Sequence, residues 1–253
     1  MYFDTHAHYD DRAFDADRFA LLEAVHAAGV ERIVDPGCTR ESSRAALALA
    51  ERFPFVYAAV GIHPEELDDS TPEALEEIAA LAEHPKCVAV GEIGLDYYWD
   101  AEHKEAQKLL FRQQIALALE LDKPVIVHDR EAHGDSLAIV RDYPGLRGVF
   151  HCYSGSAEMA QELLRRGWYL GFDGPVTYKN ARKTLEVLDV CPLERILIET
   201  DSPYLSPMPN RGKRNDSRNL RFIAAAIAER KGIAPEELAA LTLENGKRLF
   251  RIE

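Results

Sequence analysis

Short apolar segments alternate with amphipathic segments along the whole of this 253-residue chain. Apolar runs of this length, bounded by turn residues, are typical of parallel strands that are covered on both faces. Eight such segments occur, and a helix-like segment follows each of them. The predicted strands are residues 2–6, 32–35, 55–61, 87–92, 124–128, 148–151, 168–173 and 195–200.

The intervening helices are indicated by apolar residues at helical spacing. Residues 17–28 are predicted to be a helix with Phe19, Leu22 and Val25 along one side. Thr71 is suited to cap the helix that follows it. The other predicted helices are residues 41–53, 104–121, 136–142, 157–166, 181–188 and 220–229, and a further helix begins near Pro235.

Eight strand–helix units in a chain of this length predict a single domain, residues 1–253, of the α/β class: a (β/α)8 TIM barrel with an extra C-terminal helix. The alternative is a doubly wound open sheet. Such a sheet normally carries a glycine-rich phosphate loop after its first strand. Because the first strand here ends in His6-Ala7-His8, the barrel is preferred.

Composition and charge restrict the function classes. The four cysteines are widely spaced, and no apolar run approaches the ~20 residues of a membrane helix, so we expect a cytoplasmic protein with no membrane association. We expect no obligate protein partner. The net charge of −13 argues against non-specific coating of nucleic acid. It does not argue against a nuclease, because bound divalent metals would supply positive charge.

Metal-ligating residue types follow the predicted strands. His6 and His8 lie two residues apart, and on an extended segment both imidazoles point to the same side. Since the carboxyl ends of barrel strands meet at one face, their side chains are expected to converge there. Taken singly, each residue could instead cap a helix or bond a loop amide. The residues at these strand ends are His6, His8, Glu92, His128, His151 and Asp201.

Several longer motifs resemble those of the TatD-type metal-dependent hydrolases, the TatD family deoxyribonucleases of the amidohydrolase-like superfamily. The resemblance runs from residue 2 to about residue 250. The motifs are His6-Ala7-His8, Gly61-Ile62-His63-Pro64, Gly91-Glu92-Ile93-Gly94-Leu95-Asp96, Val127-His128-Asp129-Arg130, Phe150-His151-Cys152-Tyr153-Ser154-Gly155, Gly171-Phe172-Asp173-Gly174 and Glu199-Thr200-Asp201-Ser202-Pro203-Tyr204.

The resemblance implies a (β/α)8 barrel with a binuclear metal centre that hydrolyses DNA. It also implies the ligands of that centre: a first ion bound by His6, His8, Glu92 and Asp201, and a second bound by Glu92, His128 and His151. Mixed histidine and carboxylate ligands suit zinc or manganese, and magnesium suits a more oxygen-rich position. Glu92 and Asp201 are the predicted catalytic residues. Asp201 either accepts the proton of the attacking water or only ligates metal.

Candidate substrate contacts lie near the same strand ends. His63 is within plausible reach of a phosphate oxygen, or else has a structural role against Pro64. Arg130 either faces the substrate or pairs with Asp129 or Glu131. Lys213 and Arg214 belong to a segment, residues 205–221, with five basic residues and one acidic residue. This segment either guides a phosphate backbone or is a solvated loop.

Aromatic residues follow the fourth predicted strand at positions 97–99. They could stack on an unpaired base, but we expect at least one of them to seal the top of the barrel.

The predicted substrate is DNA, single-stranded or at its ends. A metal-dependent ester or amide hydrolase is the alternative, including one that deacylates mischarged tRNA. Related barrels of that type often bridge their metals with a carboxylated lysine, and the fourth predicted strand here ends in Glu92, with no lysine. A non-catalytic binding module is a third hypothesis, and the six candidate ligands argue against it.

Overall fold

A computed structural model describes all 253 residues. Its eight strands form one sheet in which they follow one another in sequence order, with parallel pairing such as that of the first strand with the second and of the fourth with the fifth. The predicted (β/α)8 fold is confirmed. The strands are β1 (Tyr2–Asp4), β2 (Val30–Pro36), β3 (Val56–Val60), β4 (Cys87–Asp96), β5 (Val125–Arg130), β6 (Gly148–Phe150), β7 (Tyr169–Phe172) and β8 (Ile196–Ile198).

Each strand is followed by a helix, and the predicted extra C-terminal helix is present. No helix is long and apolar enough to cross a membrane. The α-helices are α1 (Arg18–Ala27), α2 (Arg40–Arg52), α3 (Pro72–Ala82), α4 (Lys104–Glu120), α5 (His133–Arg141), α6 (Ala157–Arg165), α7 (Arg182–Val190), α8 (Leu220–Lys231) and α9 (Pro235–Phe250).

The predicted and observed elements differ mainly at their ends. Helix α1 buries Leu21, Leu22 and Val25, whereas Phe19, predicted to share a side of the helix with Leu22 and Val25, is exposed. Strand β4 is longer than predicted and reaches Asp96. Apolar periodicity does not reveal this extension, because every residue of β4 is buried.

The chain comprises two compact units, which we call the first unit (Met1–Asp35 with Cys152–Glu253) and the second unit (Pro36–His151). The prediction of a single domain over residues 1–253 stays a prediction.

In the first unit, the extra helix α9 packs on β1 and β8. The rings of Phe3 and Phe250 lie 5.9 Å apart. A Cβ atom at Gly246 would lie 2.6 Å from the Phe3 ring, so the close approach of α9 requires glycine there. Asn245 donates from its amide to the carbonyls of Leu193 and Ile196. The extra helix therefore supports the two strands that precede the candidate ligands of this unit.

In the second unit, two buried glutamines of α4 bond the backbone at or just after the ends of β3 and β4. Gln114 accepts from Ile62 N at 2.8 Å and donates to Ile62 O at 2.9 Å. Gln107 does the same for Asp96, at 2.9 and 3.0 Å. These side chains supply hydrogen bonds to backbone N–H and C=O groups at the place where pairing between strands ends. They thereby fix the backbone that carries His63 and Asp96.

Candidate metal-binding clusters

The segments after β1 and β8 run side by side in the first unit. Asp201 N donates to His6 O at 2.9 Å, and His8 N donates to Ser202 O at 2.8 Å. Below this pairing, the buried Asp4 carboxylate accepts from Thr200 N at 2.9 Å and from the Thr200 hydroxyl at 2.6 Å. The backbone pairing sets the register that brings His6 and His8 next to Asp201.

His6, His8 and Asp201 form the first cluster. The Nε2 atoms of His6 and His8 lie 3.1 Å apart. Asp201 Oδ1 lies 3.7 Å from His6 Nε2 and 3.4 Å from His8 Nε2. Donor atoms around one ion at bond lengths of about 2.0–2.2 Å would be separated by similar distances. The first cluster thus presents two nitrogens and one oxygen in a spacing that fits a divalent metal.

Asp201 has a left-handed backbone conformation, with φ of +54°. Non-glycine residues in this region are uncommon, and they concentrate at functional sites where neighbouring bonds hold them in place. Tyr204 N donates to Asp201 O at 2.8 Å, and the Asn215 amide donates to the carbonyls of Thr200 and Tyr204. The fully buried Asn215 thus braces the turn that carries Asp201.

The second cluster is built on an irregular part of β4. The register between β4 and β5 shifts between Val90 and Ile93. Gly94 has φ of +147°, and a Cβ atom there would lie 2.0 Å from His128 O. Only glycine allows this close approach. Glu92 and Asp96, two residues on either side of Gly94, contact opposite nitrogens of His128.

Glu92 is the centre of the second cluster. Its Oε1 atom lies 2.6 Å from His151 Nε2, 2.7 Å from His128 Nδ1 and 3.6 Å from His63 Nε2. His128 Nδ1 and His151 Nε2 are 3.3 Å apart. All four side chains are largely buried. The ligand atoms of His63, Glu92 and His128 lie within 4.8 Å of one another, close enough to bind one divalent ion.

Asp96 is the residue that sequence reasoning did not single out. Its Oδ2 atom lies 2.9 Å from His128 Nε2, the nitrogen opposite the one that faces Glu92. A carboxylate in this position fixes the tautomer of a metal-ligating histidine and raises its basicity. Burial lowers the pKa of His128, but the bonds to Asp96 and Glu92 outweigh burial and raise this pKa to about 8. The signal available in the sequence was a carboxylate four residues after Glu92, on the same face of a strand.

Replacing Asp96 with asparagine is expected to weaken metal binding in the second cluster by roughly 10- to 100-fold. In the metal-free protein His128 is mostly protonated at pH 7, since its pKa is about 8. A metal must displace this proton, so affinity falls as the pH drops below about 8. D96N lowers the His128 pKa and so reduces proton release at pH 7. Calorimetry in buffers of different ionisation enthalpy measures both the metal affinity and the number of protons released.

D100N changes a neighbouring carboxylate outside the cluster and is the control. Unchanged affinity and proton release in D96N would contradict this role.

His63 is buried beside the second cluster. Its ring and that of His128 lie 4.4 Å apart, edge to face. Burial and the neighbouring His128 lower the pKa of His63 to about 4, so the imidazole is neutral at neutral pH. Glu65 N donates to His63 Nδ1 at 3.3 Å, which leaves the proton on Nε2, the nitrogen nearer Glu92. His63 is therefore a neutral hydrogen-bond donor in this cluster.

The other predicted substrate contacts have distinct surroundings. Arg130 is exposed and pairs with neither Asp129 nor Glu131; instead its guanidinium lies 4.1 Å from the Tyr98 ring centroid. Lys213 is exposed. Arg214 forms a two-point ion pair with Asp17, at 2.9 and 2.6 Å. Part of the charge of the basic segment is thus compensated within the protein.

Comparisons with known proteins agree with this chemistry. The sequence profile described as "TatD related DNase" matches residues 3–251. The chain belongs to this family. It is 46% identical to the metal-dependent hydrolase YabD of Bacillus subtilis, over the full length of both chains. It is 35% identical to the 3'-5' ssDNA/RNA exonuclease TatD of Citrobacter rodentium, covering 99% of this chain and 98% of that one.

A solved member of the family has the same fold. The crystal structure of YjjV, a TatD homologue from Escherichia coli K12, matches with a TM-score of 0.93 and 34% identity, over 100% of this chain and 98% of that one. The TatD resemblance predicted from the motifs is therefore confirmed. As a member of this family the chain is a metal-dependent hydrolase, and its histidine and carboxylate clusters are suited to bind metal.

Proposed function

We propose that this protein is a deoxyribonuclease that hydrolyses phosphodiester bonds in single-stranded DNA or at DNA ends. The observation that carries the proposal is the presence of two histidine–carboxylate clusters in a chain of the TatD-related DNase family. The Citrobacter relative, which is named for exonuclease activity on single strands, supports the same substrate class. A cytoplasmic location stays a prediction.

We further propose that the clusters together supply the ligands of a two-metal centre. The proposed ligands are His6, His8 and Asp201 in the first cluster, and Glu92, His128 and His151 in the second. The ions would be zinc, manganese or magnesium. Two bound divalent ions would polarise the phosphate and activate water. The bridging position of Glu92 belongs to this proposal.

The chain's own groups have separate roles in the proposed reaction. Asp201 would accept the proton of the attacking water; an ionised carboxylate with an open side toward solvent is suited to this. Its side chain is 15% exposed, in contrast to the fully buried His6. His63 would donate its Nε2 proton in a hydrogen bond to a phosphate oxygen. A neutral imidazole suits that role, because it donates without adding a charge that must be desolvated.

The proposal is tested with metal-reconstituted protein on labelled single-stranded DNA, double-stranded DNA and a generic phosphodiester. We expect metal-dependent cleavage of DNA, with single strands preferred. Hydrolysis of the generic ester with none of either DNA would contradict the nuclease assignment.

Neutralising the basic segment in the double variant K213Q/R214Q is expected to weaken DNA binding mainly at low salt. For each phosphate that the variant no longer neutralises, the slope of log K against log salt concentration should shrink by about 0.7 on single strands. We expect Lys213 to account for most of the change, because Asp17 already binds Arg214. Fluorescence anisotropy over a salt series measures it. K183Q removes an exposed charge from α7 and is the matched control. If the DNA affinity of the double variant depends on salt as that of the wild type does, this segment does not guide the phosphate backbone.

A further inference from the structure

Three side chains of the second unit form an exposed surface beside the second cluster, which we call the aromatic corner: Tyr98, Trp99 and Arg130. Trp99 is 63% exposed and Tyr98 is 51% exposed. Their ring centroids lie 4.9 Å apart with an interplanar angle of 85°. The third aromatic of the segment, Tyr97, is half-buried and donates its hydroxyl to Asp135 at 2.7 Å. Tyr97 is thus a packed residue, whereas the two that follow it face solvent.

The guanidinium of Arg130 packs against both exposed rings of the aromatic corner. Its Cζ atom lies 4.1 Å from the centroid of Tyr98 and 5.5 Å from that of Trp99. Asp129, the adjacent carboxylate, contacts His133 and Ser136 instead. A planar cation against two rings, with no carboxylate bonded to it, is a surface that attracts a polarisable anionic ligand.

The backbone fixes this surface to the second cluster. Tyr98 N and Trp99 N each donate to Asp96 Oδ1 at 2.9 Å, while Asp96 Oδ2 contacts His128 Nε2. Tyr97 N donates to Arg130 O at 2.9 Å. One carboxyl group therefore separates the aromatic segment from a candidate metal ligand. Through Asp96, the backbone of Trp99 is linked to the cluster at which a substrate phosphate is proposed to lie.

We propose that the aromatic corner is a nucleobase subsite, where an unpaired base of the substrate strand stacks on Trp99 while Tyr98 and Arg130 hold the indole in place. This inference rests on the proposed nuclease function and deepens it. Exposed aromatic rings with an adjacent arginine bind single strands without strong sequence preference, because every base has a π-face. A base inside a duplex is already stacked on its neighbours. The subsite would therefore favour single strands.

The two tryptophans of the chain make the subsite measurable without activity. Trp168 is 2% exposed, so a ligand that stacks on the surface should quench Trp99 selectively. The probe is a phosphorothioate-linked oligothymidylate, which resists hydrolysis, added to the metal-loaded full-length protein. Its partner is the same oligomer with abasic residues. We expect quenching and tight binding with the first, and roughly 5- to 150-fold weaker binding with little quenching for the abasic oligomer.

Variants separate stacking from other effects. W99A should lose affinity to the same extent, and W99F should keep most of the affinity while losing the quench. R130K keeps the charge but not the planar face, so it should reduce the preference for the base-containing oligomer over the abasic one. L109A, which truncates another exposed apolar residue of the same unit, should change nothing.

The inference is overturned if the abasic oligomer binds and quenches equally, if a blunt duplex does so, or if W99A binds like the wild type. It is also overturned if the wild type sediments as a dimer and W99A as a monomer, since a second copy of the chain would then cover Trp99. Failure of the proposed function is distinguishable from these outcomes. Base-dependent quenching without metal-dependent DNA cleavage would reject the nuclease and keep the subsite, whereas cleavage with base-independent binding would reject only the subsite.

Discussion

Replacing Glu92 with glutamine is expected to lower kcat for DNA cleavage by roughly 1000-fold or more. Glu92 Oε1 lies within 2.7 Å of ring nitrogens on both His128 and His151, so the substitution removes the negative charge that both nitrogens contact. Loss of a metal from such a site removes several kcal/mol of stabilisation of the charge in the transition state. Each 1.36 kcal/mol of activation free energy is a tenfold change in rate. Steady-state cleavage of single-stranded DNA and metal analysis of the purified variant measure the two effects.

The matched control for this prediction is E65Q. Glu65 is a nearby carboxylate, 3.8 Å from His63 Nδ1, but its side chain is more exposed than that of Glu92. We expect E65Q to retain its metal and most of its activity. An E92Q protein with a full metal complement and near-normal kcat would exclude Glu92 from both ligation and catalysis.

Replacing Asp201 with asparagine is expected to abolish turnover while the second cluster keeps its metal. The variant removes the only carboxylate of the first cluster, whose Oδ1 lies 3.4 Å from His8 Nε2. Loss of a general base alone typically costs 10²- to 10⁴-fold, so we expect a decrease of at least about 100-fold. Metal analysis separates the two predicted roles of Asp201. If Asp201 acts only as a base, D201N should keep the metal content of the wild type; if Asp201 ligates metal, the metal content of D201N should fall.

D15N is the control for Asp201. Asp15 belongs to the same unit, is largely exposed and pairs only with Arg18, so its loss should leave activity unchanged. Near-normal turnover in D201N would remove Asp201 from the mechanism.

The candidate ligands were predictable because each of them lies at or close to the carboxyl end of a predicted strand. Segments with the apolar pattern of strands alternate along the chain with segments that have the apolar spacing of helices. In a (β/α)8 barrel the carboxyl ends of the parallel strands lie at one face. The strand ends therefore predicted that all six side chains converge, whereas the grouping of His6 and His8 with Asp201, and of Glu92 with His128 and His151, was implied by the family resemblance. Within each cluster the structure brings these side chains together. The proposal that they form one binuclear centre still depends on the family resemblance.

Other features could not be predicted, because they depend on side-chain directions and on partners distant in sequence. Asp96 contacts His128, 32 residues away, where Gly94 lets β4 and β5 approach closely. Arg214 pairs with Asp17, 197 residues away, so its charge is less available than the sequence suggested.

The sequence by itself determined the (β/α)8 architecture, the extra C-terminal helix and the identities of the candidate ligand residues, because these follow from local periodicity and from the residue types at strand ends. Only the tertiary structure decided which nitrogen of His128 faces Glu92, that His63 is a buried neutral donor, and that Arg130 lies against Tyr98 and Trp99. Protonation, tautomer and stacking are set by groups that packing brings together, and no short segment of the chain contains all of them.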